Sequence, residues 1–175
     1  VINLFSGPGC GKSTLAAGLF HQLKIQNYNV EYVSEYAKDL IYENRFERLN
    51  DYLYVLAEQH HRLFKLKNSV DYVVCDGSFL LGYIHCKKNK TYNHKLIKQL
   101  VLDTFNRYEN MNYLLQRDKN FYHTHGRKES LKQAIKLDEK LIKLFDKKSI
   151  SHRKVTHENA LSLILKDIAQ KNKKV

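Results

Sequence analysis

Gly7-Pro8-Gly9-Cys10-Gly11-Lys12-Ser13-Thr14 matches the pattern G-x-x-x-x-G-K-[ST], and few short motifs constrain a fold so tightly. The pattern works only between a strand and a helix, and both neighbours are legible. Val1–Phe5 is an apolar run of strand length, and Ser13–Leu23 repeats its apolar residues with a helical period. Glycines let successive backbone N–H groups turn toward one anion, and the helix N-terminus that follows adds partial positive charge. In that setting Lys12 reaches the β- and γ-phosphates of ATP, and the Ser13 hydroxyl sits on Mg²⁺. Gly7, Pro8, Gly9, Cys10, Gly11, Lys12, Ser13 and Thr14 are therefore candidate nucleotide ligands. The alternative is a glycine-rich turn that binds nothing.

Further strand-like runs recur at Val30–Val33, Tyr72–Cys75, Asn112–Leu115 and, more weakly, Lys154–Thr156. Helical patterns lie between them, at Ser34–Tyr42, Asp51–Leu66, Lys95–Tyr108, Lys128–Phe145 and Glu158–Gln170. Alternating strand and helix predicts an α/β fold: a three-layer αβα P-loop arrangement on a parallel sheet of five strands, with a helical lid. A chain of 175 residues, 43% hydrophobic, makes one domain with room for a core, expected over 1–175 with the lid at about 117–147. No apolar stretch reaches spanning length, so no membrane helix is expected. No signal peptide is visible either, although an opening strand without Met points to absent leading residues. The three cysteines, Cys10, Cys75 and Cys86, show no metal spacing and read as reduced thiols of a cytoplasmic protein.

The formal net charge is +12. Such an excess favours a polyanionic partner, with DNA or RNA the obvious class. Compositional drift explains it equally well, because the chain is rich in Lys, Asn, Tyr and Ile together.

Four residues at three places complete a site around the loop. Asp76 closes the hydrophobic run Tyr72-Val73-Val74-Cys75, where a carboxylate holds Mg²⁺ directly or through water; the alternative is a helix N-cap. Glu35 follows the second strand, where a carboxylate can accept the proton of an attacking hydroxyl; the alternative is a first-turn residue capped by Ser34. Arg117 and Arg127 bracket the polar and aromatic stretch 117–128, which suits a lid whose arginines neutralise a moving phosphoryl group; the alternative is two solvated arginines. His60, His61, His123 and His125 lack the spacing of a zinc site. His60 and His61 are expected to face the acceptor pocket or solvent.

The loop, with Glu35-Tyr36-Ala37-Lys38-Asp39-Leu40, Gln59-His60-His61-Arg62 and Val70-Asp71-Tyr72-Val73-Val74-Cys75-Asp76-Gly77-Ser78, resembles a group of small P-loop kinases. The group includes the ribosylnicotinamide kinase domain of bifunctional NAD-biosynthesis proteins and the bacteriophage 5-hydroxymethyluracil DNA kinases. The phage proteins show the closer likeness. The resemblance covers roughly the first half of the chain and returns weakly near Gly126-Arg127. It implies an ATP·Mg²⁺ site at Lys12 and Ser13, an acid–base group at Glu35 or Asp76, and an acceptor wall over Gln59–Arg62. It also implies DNA as substrate, with a free nucleoside as the alternative acceptor. A nucleotide switch or nucleic-acid-binding ATPase is the alternative of another class. Tyr52, Tyr54, Phe121 and Tyr122 are candidates for stacking on a flipped base or for core packing. Two departures stand out. Cys75-Asp76-Gly77-Ser78 replaces a Thr-Asp-Ser-Pro turn, and Cys10 replaces a frequent serine, which would make the loop oxidation-sensitive if its thiolate is stabilised.

Overall fold

A computed structural model of the chain describes residues 1–88, 90–118 and 130–173. In chain order its elements are β1 Ile2–Phe5, α1 Lys12–Ile25, β2 Val30–Val33, α2 Tyr36–Tyr42, α3 Phe46–Asn50, α4 Tyr52–Phe64, β3 Tyr72–Cys75, α5 Leu81–His85, α6 His94–Phe105, β4 Met111–Leu115, α7 Leu131–Lys148, β5 Arg153–Val155 and α8 Ala160–Asn172. The strands form one sheet in the order β2-β3-β1-β4-β5, with every neighbouring pair parallel. This is the expected three-layer α/β architecture.

Side-chain alternation along the strands builds the two helix layers. Ile2 and Leu4 of β1, Val74 of β3 and Leu115 of β4 face Ala16, Leu19 and Leu23 of α1 and Ile164 and Ile168 of α8. Phe5 and Leu114 point the other way, against Val101, Leu102 and Phe105 of α6 and Leu141, Leu144 and Phe145 of α7. Phe5 and Phe145 meet edge to face with centroids 4.9 Å apart. Burying a phenylalanine this completely contributes roughly 1.5–3 kcal/mol.

Several boundaries shift for local reasons. Helix α2 begins at Tyr36, two residues late, because Glu35 keeps an extended backbone at φ −73° and ψ 113°. Asp51 stands outside α4 as its cap, accepting from Tyr54 N at 3.2 Å. The five-residue helices α3 and α5 are too short to show a period, and sequence reading passes over them. Of the stretch 117–147 expected to form a lid, residues 119–129 lie outside the described residues, and α7 buries Ala134, Leu141, Leu144 and Phe145.

Parallel pairing brings all five carboxyl ends to one edge. There Phe5 leads into the glycine loop, Val33 to Glu35, Cys75 to Asp76, Leu115 to Arg117 and Val155 to His157. The order reverses at β1, which has β3 on one side and β4 on the other, and ligands of open α/β sheets bind at such a switch point.

Candidate nucleotide site

The loop needs two glycines for their backbone alone. Gly9 and Gly11 have φ of 73° and 80°, a region that L side chains resist. Gly11 caps α1 with no side-chain hydrogen bond, which leaves the first-turn N–H groups for an anion. Lys12 is buried, and its Nζ donates to Ser6 O at 3.0 Å across the loop. Ser13 Oγ donates to Asp76 Oδ2 at 2.6 Å. The pairing of Asn3 with Cys75, β1 against β3, is what carries Asp76 beside the loop hydroxyl.

Asp76 is 2% exposed. Its Oδ2 also accepts from the Tyr32 hydroxyl at 3.3 Å. Burial first and the Asp76 charge second push the Tyr32 phenol up, so it remains a donor. Oδ1 of Asp76 is buried and has no partner among the described residues. A buried orphan carboxylate oxygen next to a P-loop hydroxyl fits a divalent cation or its water shell. Bound there, Mg²⁺ would supply charge neutralisation on the phosphate oxygens. The alternative reading of Asp76 as an N-cap fails, because α5 begins only at Leu81.

Glu35 occupies the N-cap position of α2 without capping it, which removes the reading in which Ser34 caps and Glu35 sits in the first turn. Its carboxylate makes no hydrogen bond or ion pair to a described residue. Two residues from α4 hold its turn. Gln59 Oε1 accepts from Tyr36 N at 2.8 Å, and Gln59 Nε2 donates to Ser34 O at 3.2 Å. Arg62 donates to Ser34 Oγ at 2.7 Å, pairs with Asp39 at 2.6 Å and lies over the Tyr36 ring. Gln59 and Arg62 therefore brace the segment bearing Glu35 rather than simply walling a pocket. Gly77 packs on Glu35 so closely that a Cβ would lie 2.6 Å from the Glu35 Cβ. That contact explains glycine in the turn after Asp76.

Arg117 reaches the loop from the end of β4, but its Nε donates to Asp138 Oδ2 of α7 at 2.7 Å. Asp138 Oδ1 in turn accepts from Gly7 N, and a Cβ at Gly7 would run into the Ala134 carbonyl. Arg127 lies outside the described residues, as do Phe121, Tyr122, His123 and His125. His157 packs against Gly11, and with Thr14, Leu15, Gly18 and Leu161 it lines a crevice of about 200 Å³. Lys38 of α2 donates to Ser13 Oγ at 3.3 Å. Sequence reasoning singles out none of Asp138, His157, Tyr32 or Lys38. Only Lys38 carries a signal, its place in the Glu35–Leu40 segment.

The structure also places Cys10, His60 and Tyr52. Cys10 is buried and its Sγ donates to Leu115 O at 3.6 Å; burial raises its pKa, so the loop does not stabilise a thiolate. His60 is partly buried, and its ring lies against Phe64, Phe79 and Tyr108. Tyr52 stacks on Tyr92 and donates to Gly82 O at 2.6 Å, a packing role. Among the described residues no group of three or more His, Cys, Asp or Glu is placed to hold a metal, and no helix is long and apolar enough to cross a membrane.

A glycine loop between β1 and α1, a buried lysine inside it and a carboxylate on its hydroxyl define a P-loop NTPase domain, which binds nucleotide, typically with Mg²⁺. The family model described as AAA domain matches residues 1–160, and the chain belongs to that family. No curated protein matches the chain.

Proposed function

We propose that this protein is a kinase that transfers the γ-phosphate of ATP to a hydroxyl group. The observation that carries the reading is the division of labour between two carboxylates. Asp76 is engaged by Ser13 and Tyr32, whereas Glu35 stands on Gly77 with its carboxylate uncommitted. Lys12 releases the Ser6 carbonyl and takes the phosphates. Glu35 accepts the proton of the acceptor hydroxyl as its oxygen bonds to the γ-phosphorus. The bond from that phosphorus to the β–γ bridging oxygen breaks, and ADP leaves. Arg127 and Arg117 are the proposed sources of further positive charge at the transferring group. The crevice beside His157 and Leu161 adjoins the loop at Gly11 and Thr14, and suits the nucleobase of ATP.

The acceptor we propose is the hydroxymethyl group of 5-hydroxymethyluracil in DNA. Supporting it are the resemblance of the motifs to the phage kinases and the net charge of +12. Lys98 and Lys148 also converge on the ring of Tyr83, 5.0 and 5.9 Å from its centroid, a basic and aromatic face suited to a polyanion. On the acceptor side Tyr36 donates to Tyr54, and Tyr54 with Glu47, Arg48 and Asp51 lines an open cavity of about 360 Å³. A base entering from duplex DNA must first be flipped out.

The test is incubation with γ-labelled ATP and, separately, hydroxymethyluracil DNA, unmodified DNA, free nucleosides and water. Label on modified DNA alone is expected, with binding that weakens steeply with salt. Transfer to nucleosides alone would move the acceptor to a small molecule, and phosphate release to water alone would make the protein an ATPase. Glu35→Gln is expected to abolish transfer and leave ATP binding intact.

A further inference from the structure

We propose that Lys38 is a γ-phosphate contact delivered to the P-loop from helix α2, so that the element bearing Glu35 senses a triphosphate directly. The inference rests on the kinase reading proposed above, with Glu35 beside the phosphate being transferred, and is independent of the acceptor's identity. Lys38 lies in the first turn of α2, where the helix dipole disfavours a cation. Its Nζ is 3.3 Å from Ser13 Oγ, whose own proton goes to Asp76. A hydroxyl lone pair is thus the partner of a half-buried ammonium, and Lys38 makes no salt bridge with a described carboxylate.

Each of two neighbouring arginines already has a carboxylate partner. Arg62 is paired with Asp39, and Arg117 with Asp138. Lys12 comes from within the loop and rests on the Ser6 carbonyl. Lys38 comes from outside the loop, on the helix whose N-cap position is Glu35, and meets the loop at Ser13. An ammonium held only by a neutral hydroxyl gains most when an anion arrives between it and the loop. The phosphate nearest Glu35 is the one being transferred, present in ATP and missing in ADP.

Binding of ADP and of the non-hydrolysable β,γ-imido analogue of ATP, measured by calorimetry with Mg²⁺ in the buffer, tests this. For Lys38→Met the analogue is expected to bind about tenfold more weakly, the scale of one charge-assisted hydrogen bond, while ADP changes less than about twofold. Lys38→Arg should recover most of the loss. Lys38→Gln serves as a second neutral variant, and thermal melts check that each variant folds. Equal losses for both nucleotides, or no loss for either, would overturn the assignment of Lys38. Failure of the unmodified protein to bind either nucleotide would instead overturn the P-loop reading, and this proposal with it.

Discussion

Removing the Asp138 carboxylate is expected to destabilise the fold through the nucleotide loop itself. Asp138 spans two partners: Oδ1 accepts from Gly7 N and Oδ2 from Arg117 Nε at 2.7 Å. The side chains are 8% exposed for Arg117 and 19% for Asp138, so the pair is largely out of water. Breaking such a pair by deleting one partner costs about 3–5 kcal/mol, and the residual exposure of Asp138 argues for the lower end. About 3 kcal/mol is a large part of a domain stability of roughly 5–15 kcal/mol. At this chain length it lowers the melting temperature by roughly 6–12 °C. Circular dichroism melts of Asp138→Ala at neutral pH read the shift, with urea midpoints as an independent measure. Asp138→Asn should fall between, because its amide N–H₂ meets a donor at Gly7 or at Arg117 whichever way it turns. The double variant Arg117→Met/Asp138→Leu should cost less than Asp138→Ala alone, since no charge is then left buried. A shift under about 2 °C for Asp138→Ala, or simple additivity in the double variant, would refute the view that this carboxylate neutralises a buried guanidinium.

Gly77→Ala should separate nucleotide binding from phosphoryl transfer. The new methyl would sit 2.6 Å from the Glu35 Cβ and 2.7 Å from its Cα, so Glu35 must move. A fall in transfer of about tenfold or more is expected, with ADP affinity nearly unchanged; unaltered turnover would remove Glu35 from the reaction. His60 gives a pH dependence. Burial, reinforced by neighbouring His61, lowers its pKa below the ordinary 6.5. Between the folded and unfolded values the unfolded chain binds the extra proton, so stability rises with pH. The contribution is complete above about 6.5 and is lost as pH falls through the folded value. Urea midpoints from pH 7.5 to 5 should decline accordingly, and His60→Phe should flatten that part of the slope.

What the sequence makes legible, and what it hides, divides along range. The loop, the end of β2 at Glu35 and the end of β3 at Asp76 are legible because each follows a short, mainly apolar strand-length segment that gives way to polar residues. A parallel sheet then brings every such stop to one edge. The charge balance at that edge is not legible, because the fold chooses each partner. Asp138 meets Gly7 across 131 residues, from a helix whose Lys-rich exposed side reads as solvated surface. Lys38 meets Ser13 across 25 residues, in a first turn where propensity speaks against it. Gln59 is singled out in sequence only as part of an acceptor wall, yet it is buried because it supplies the donor and acceptor that the Ser34–Tyr36 turn lacks. Residues that violate a local rule are therefore the ones to examine at this site. A buried glutamine, a lysine at the wrong helix end and a glycine without positive φ at 77 each have their reason in Glu35, Asp76 or the loop. That concentration of local exceptions around three strand ends argues, independently of the motif, that they form one working unit.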